Sequence, residues 1–157
     1  MTQDAITVEF IEGHYVSRRG IAWLKIDGNE VVNASSVFEG LKESRKQYLH
    51  TSFDQWLAFK DIPDRYHGWP TEPEYKACHQ FNYKDNTGRN RLYGFKWRPG
   101  IPDGQFEICV LAMHANKNQK LTDPFYKKSM IKFVNDADIQ AAITKQITNY
   151  LKENSKP

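Results

Sequence analysis

The chain predicts an α+β domain with a central antiparallel sheet flanked by helices, and three patterns in its 157 residues carry that expectation. Apolar and polar side chains alternate with a period of two in the first third and the middle, as in strands with one face buried. The period lengthens to helical spacing after Ser36 and again beyond Asn135. Turn residues rich in Gly, Pro, Asn and Asp separate these stretches. No internal repeat or linker interrupts the chain, so we read residues 1–157 as one domain, with an N-terminal β extension (1–35) on a core spanning 36–153.

Residues 6–12 (ITVEFIE) alternate as a strand. Residues 21–26 (IAWLKI) and 30–32 (EVV) flank Asp27-Gly28, a hairpin signal. Ser36-x-x-Glu39 is spelled as a capping box, and Val37, Phe38, Leu41, Arg45, Tyr48 and Leu49 then recur at helical spacing. A second cap signal, Ser52-x-x-Gln55, either starts a new helix or lies inside one bent helix. Residues 61–73, with three prolines, read as loop. Strands follow at 74–83, 91–98 and 106–115, joined by DNTGRN and PGIPDG, as a meander. The last of these is apolar on both faces from Ile108 to Met113, which marks a central strand. Thr122 or Asp123 can cap a helix with Pro124 at its first position. In the final helix Ile139, Ala142, Ile143, Ile147, Tyr150 and Leu151 form one apolar stripe, followed by a fraying tail.

Composition (39% apolar, 26% charged) is that of a soluble globular protein. No apolar run approaches the roughly 20 residues needed to span a bilayer. The first residues lack a basic region followed by an apolar one, so a cytoplasmic location is expected and no membrane partner. Two cysteines make no disulfide framework. Charge is uneven: residues 84–128 hold nine basic and four acidic side chains, leaving the rest of the chain slightly acidic. Such an excess suits a polyanion or an acidic partner.

Motifs for a phosphate loop, a dinucleotide fold or a zinc protease are missing. Cys78 and His79 point to opposite faces of a strand and cannot easily share a metal with Cys109 and His114. No metal and no cofactor is expected. What remains is a metal-free constellation. His114 closes the central strand, Lys117 and Lys120 follow it, and Arg91, Lys96 and Arg98 lie on the preceding strand. Antiparallel pairing brings Arg91, rather than Arg98, toward the His114 end. Cleavage of a phosphodiester through its own 2′-hydroxyl needs a base, charge on the non-bridging oxygens and a proton for the leaving oxygen. Histidine, lysine and arginine supply all three. A plainer account competes: His114 as a hydrogen-bonded residue at the core edge, the lysines as loop solvation, and the aromatic residues as core. Tyr66, Trp69 and Tyr126 sit in loops or at helix starts, where bases could stack. The aromatic and polar residues of 61–73 leave a small-molecule pocket open as well.

The helical pair, the three-stranded meander and the C-terminal helix, together with RLYGFKWRP and FEICVLAMHANKNQKLTDP, resemble the HigB-like branch of the RelE/ParE toxin superfamily. The likeness runs from Ser36 to Ile143 and is strongest over about thirty residues. The motif is an apolar strand end, His, a lysine pattern, Thr-Pro and a helix; here His114, Lys117, Lys120, Thr122 and Pro124 stand in comparable places, with Arg91 as the strand cation. The resemblance implies a RelE-like sheet and the toxin of a toxin–antitoxin pair, an endoribonuclease acting on mRNA at the ribosome and neutralised by a cognate antitoxin. It implies His114, Arg91 and Lys117 as catalytic residues and Lys120, Lys96 and Tyr126 as substrate contacts. The sequence departs from the pattern where Asn118 follows Lys117, where Asp123 separates Thr122 from Pro124, and in the strands of residues 1–35. The alternative is a non-enzymatic protein-binding module of phage or mobile-element origin that grips an acidic partner with a basic face.

Overall fold

The structure, a computed structural model, describes residues 5–69, 71–116 and 123–155. Its elements in chain order are β1 (Ile6–Tyr15), β2 (Arg19–Ile26), α1 (Ala34–Glu39), α2 (Glu43–Leu57), β3 (Tyr66–Gly68), β4 (Cys78–Asp85), β5 (Gly88–Trp97), β6 (Glu107–Asn116), α3 (Asp123–Val134) and α4 (Ala137–Asn154). The six strands form one sheet in the order β1-β2-β6-β5-β4-β3. The α+β class is as expected. The sheet is mixed, because β2 runs parallel to β6 while every other ladder is antiparallel.

The order follows from where apolar residues fall. In β1, Ile6 and Val8 are buried while Thr7 and Glu9 are exposed, the alternation of a strand covered on one side. β2 and β6 are buried on both faces almost throughout, so they take the centre. On one face Ile21, Trp23, Cys109 and Leu111 meet Phe38, Leu49, Phe53 and Trp56 of α1 and α2. On the other, Ala22, Leu24, Ile108 and Val110 meet Met130, Ile139, Ile143 and Ile147 of α3 and α4. The result is three layers, helices on both sides of the sheet.

Several local expectations change. The partner of β2 in the hairpin is β1, turned through Val16 and Arg19, which exchange backbone hydrogen bonds at 2.8 and 3.2 Å. Residues 30–32 are no strand: the Asn29 side chain accepts the Val31 and Val32 amides, holding a turn that feeds α1. The helical region breaks at 40–42, not near Ser52. Ser36 lies inside α1 and Ser52 inside α2, where their hydroxyls bond the Asn33 and Tyr48 carbonyls, so neither capping box forms. The loop at 61–73 contributes β3, which pairs Tyr66 with Phe81 and Gly68 with His79. At α4 the cap is Asp136, whose carboxylate accepts the Asp138 and Ile139 amides at 2.9 and 3.0 Å.

Between β5 and β6, Tyr93 faces Met113 but Gly94 faces Leu111, so Ala112 is an extra residue, a β-bulge. Gly94 stands beside it, and a Cβ there would lie 2.5 Å from the Val110 carbonyl oxygen and 2.9 Å from Leu111 Cδ2. Backbone cannot yield as a side chain can. Gly94→Ala should therefore destabilise the fold by about 3 kcal/mol, the upper end for overpacking. Urea unfolding would read this, and a change within about 0.5 kcal/mol would show that the strands are not in this register.

Candidate functional site

Two concavities open around the segment between α2 and β4, and Pro63 and His67 line both. The first is a groove of about 730 Å³ along the outer edge of β4. β3 covers that edge only as far as Phe81, and the Arg65 carbonyl takes the Asn82 amide at 2.9 Å. Around the remaining open edge the groove wraps from the α2 side to the α3 side of the sheet.

Each wall has an identifiable cause. From α2 come Arg45 and Tyr48. Arg65 fastens the following loop to this helix: its Nη1 donates to the Tyr48 carbonyl and to Ser52 Oγ, both at 3.1 Å, and its guanidinium covers the Tyr48 ring at 3.9 Å. That loop supplies Asp64, His67 and Trp69, the last two in edge-on contact at 4.6 Å. From the sheet come Gln80, Asn82 and Lys84 of β4 and Arg89 and Arg91 of β5, which pair as Asn82 with Arg91 and Lys84 with Arg89 and so share a face. Four cations, Arg45, Lys84, Arg89 and Arg91, thus border the groove beside one carboxylate, Asp64. Buried Arg45 Nε and Gln80 Oε1 have no hydrogen-bond partner. Such polar atoms are costly to leave unmade, and a bound polar ligand would satisfy them.

Arg91 donates through Nη1 to the Tyr93 hydroxyl at 3.2 Å. Tyr93 is stacked between Tyr126 (4.8 Å, 6°) and Trp69 (6.3 Å, 12°). Tyr126 is therefore buried, at 2% exposure, and its ring is used within the protein rather than offered to a base. Burial also holds its hydroxyl above the usual tyrosine range.

His114 lies elsewhere. Counting alternately from Val110 puts it on the Val110 face beside Arg91, but the bulge at Ala112 reverses the parity. Leu92 pairs with His114 and Arg91 with Ala115, so the histidine points to the α1/α2 side and the arginine to the α3/α4 side. His114 is buried, with Nε2 2.9 Å from the Tyr83 hydroxyl, and its backbone amide donates to Asn33 Oδ1 at 2.9 Å. Burial lowers its pKa, with Asp85 opposing weakly. Tyr83 is itself a wall of the groove, its hydroxyl pushed up to about 12 by burial first and then by Asp85. His114 thus reaches the groove only through Tyr83. Lys96 faces the second cavity, 3.8 Å from Glu107. Lys117 and Lys120 lie outside the described residues.

Sequence reasoning gathered Arg91 and the basic excess around it but missed Arg45 and His67. Arg45 arrives from a helix forty residues away, and nothing in its local pattern signals that approach. Cys78 and Cys109 are buried on opposite sides of the sheet. Among the described residues no group of three His, Cys, Asp or Glu is placed to hold a metal ion, and no helix is long and apolar enough to cross a membrane. Comparison with protein-family models, with curated proteins and with solved structures gives no match for this chain.

Proposed function

We propose that the groove along β4 binds the backbone of single-stranded RNA, and that the protein is the toxin of a toxin–antitoxin pair cutting mRNA at the ribosome. The observation that carries the first part is the convergence of Arg45, Lys84, Arg89 and Arg91 with Tyr48 and Trp69 around one open edge. Arginine forks grip phosphate oxygens in pairs, without regard to base sequence. The second part rests on the resemblance, and it is supported by the order of a helix pair, an antiparallel meander and C-terminal helices.

Cleavage would divide its tasks among residues within reach of the groove. Arg91 clamps the scissile phosphate and offsets the charge that builds on its oxygens. His67, exposed on β3 and lining the groove, takes the 2′-hydroxyl proton. The 2′-oxygen–phosphorus bond forms as the phosphorus–5′-oxygen bond breaks, leaving a cyclic phosphate; the Tyr83 hydroxyl gives the leaving 5′-oxygen its proton, and His114 acts as a positioning residue that orients that hydroxyl. A cognate antitoxin would neutralise the protein by placing acidic side chains where the phosphates lie.

The test is inducible expression in a bacterial host, with growth followed and transcript 5′ ends mapped on a translated reporter. Arrest with new ends is expected for the wild type, with loss of both in Arg91→Ala and His67→Ala at matched soluble levels. Arrest without new ends would sink the nuclease assignment. Normal growth with intact transcripts would favour the binding-module alternative instead.

A further inference from the structure

The second cavity, of about 900 Å³, lies over the end of the sheet where β2 and β6 begin and β5 finishes. Its α2 side gathers charge around Glu107. Arg19, Lys96 and Arg98 approach that carboxylate at 3.6, 3.8 and 3.6 Å, beyond hydrogen-bond length. Three cations thus face one carboxylate whose side chain is 12% exposed. Arg19 and Lys96, both poorly exposed, repel each other unless something negative joins them.

Arg19 is held rigidly. Its Nη1 donates to the Trp56 carbonyl at 2.5 Å, and its guanidinium lies between the Trp56 and Phe59 rings, 4.2 and 3.9 Å from their centres. Phe59 reaches this position with a φ of 63°, in the left-handed region that a bulky residue rarely adopts. Arg19 Nε is nonetheless buried without a partner. His79, 5% exposed, is in the same state: Nδ1 meets the Tyr66 hydroxyl, while Nε2 has no partner. Desolvation, with help from Lys96 and Arg19 and against a contact with the Lys76 backbone, keeps this imidazole neutral, and burial keeps the Tyr66 proton in place. With Tyr66 donating to Nδ1, the ring hydrogen sits on Nε2. The unfilled groups at this end, Arg19 Nε–H and His79 Nε2–H, are then both donors, beside the Lys96 ammonium.

We propose that this cavity is a binding site for a small organic anion, a phosphate monoester or a carboxylate, with its oxygens between Arg19, Lys96 and His79 and its body against Tyr66. The site is separate from the groove along β4 and does not depend on what that groove binds. A carboxylate or phosphate would complete the charge around Glu107 and satisfy both orphan donors.

The experiment is an NMR titration of the full chain with phenyl phosphate and with benzoate at constant ionic strength, following the Trp56 indole N–H and the Gly68 amide. Saturable shifts at both reporters are expected, and Lys96→Ala should weaken binding roughly tenfold, the weight of one charge-assisted hydrogen bond. Arg98→Ala, whose side chain is 65% exposed, is the second variant should the first fold poorly, with a smaller loss expected. Binding of only one probe would name the anionic group. No saturable shift with either probe would overturn the assignment. So would equal affinity in wild type and both variants, or a loss confined to Arg91→Ala, which would move the ligand to the groove.

Discussion

Alanine at both Arg89 and Arg91 is expected to lower affinity for a short unpaired RNA by roughly a hundredfold at low salt, about tenfold for each arginine removed. The two side chains project from β5 on the same side of the sheet, two residues apart and opposite Lys84 and Asn82 of β4. A rigid ladder holds this spacing, so each arginine meets a phosphate without ordering a loop. Because each neutralised phosphate releases counterions, the salt dependence should flatten too, by about 1.4 in the slope of log affinity against log salt. Fluorescence anisotropy over a range of salt concentrations reads both quantities. Lys145→Ala is the control, since Lys145 is exposed on α4 over β1, at the opposite edge of the sheet. An unchanged slope in the double variant, or an equal loss from Lys145→Ala, would show that RNA binds by diffuse charge and not in this groove.

The sequence made much of this architecture legible because burial leaves a period. The meander of β4, β5 and β6 was readable from alternation and turn residues, β6 as a central strand from its continuous apolar run, and the face of α4 from Ile139, Ile143 and Ile147. Pairing between distant segments leaves no such trace. Nothing in residues 19–26 announces a parallel partner 88 residues later, and β3 is three residues within a proline-rich loop. The candidate site suffered most from Ala112. Period-two counting assumes an unbroken ladder, and one extra residue sent His114 to the face opposite Arg91. The available hint was Gly94, a glycine inside an otherwise aromatic strand, which often marks a bulge or a close backbone approach.

Three buried histidines make the fold itself sensitive to acid. His14, His79 and His114 are 4%, 5% and 8% exposed, and burial is the first cause of the lowered pKa in each. The charged and polar neighbours differ. His14 contacts His50 at 2.8 Å and Asp54 at 3.2 Å from α2; His79 faces Lys96 and Arg19; His114 faces Tyr83 and Asp85. A histidine whose pKa is depressed in the folded state takes its proton first in the unfolded chain. Stability is therefore full above the ordinary value of 6.5 and is lost as pH falls below it. Each histidine that stays neutral when folded contributes up to about 1.4 kcal/mol per pH unit in that window. His79, held down to about 2, stays neutral in the folded protein across this window and by itself lowers the unfolding free energy by about 1.2 kcal/mol between pH 7 and about 5.5; His14 and His114, shifted the same way, add to that loss. Urea unfolding at the two pH values measures it, and His79→Phe should remove about 1.2 kcal/mol of the difference, because that side chain no longer titrates. A wild-type difference under about 1 kcal/mol would mean that these histidines accept protons in the folded state. Their burial between sheet and helices would then be looser than the packing described above.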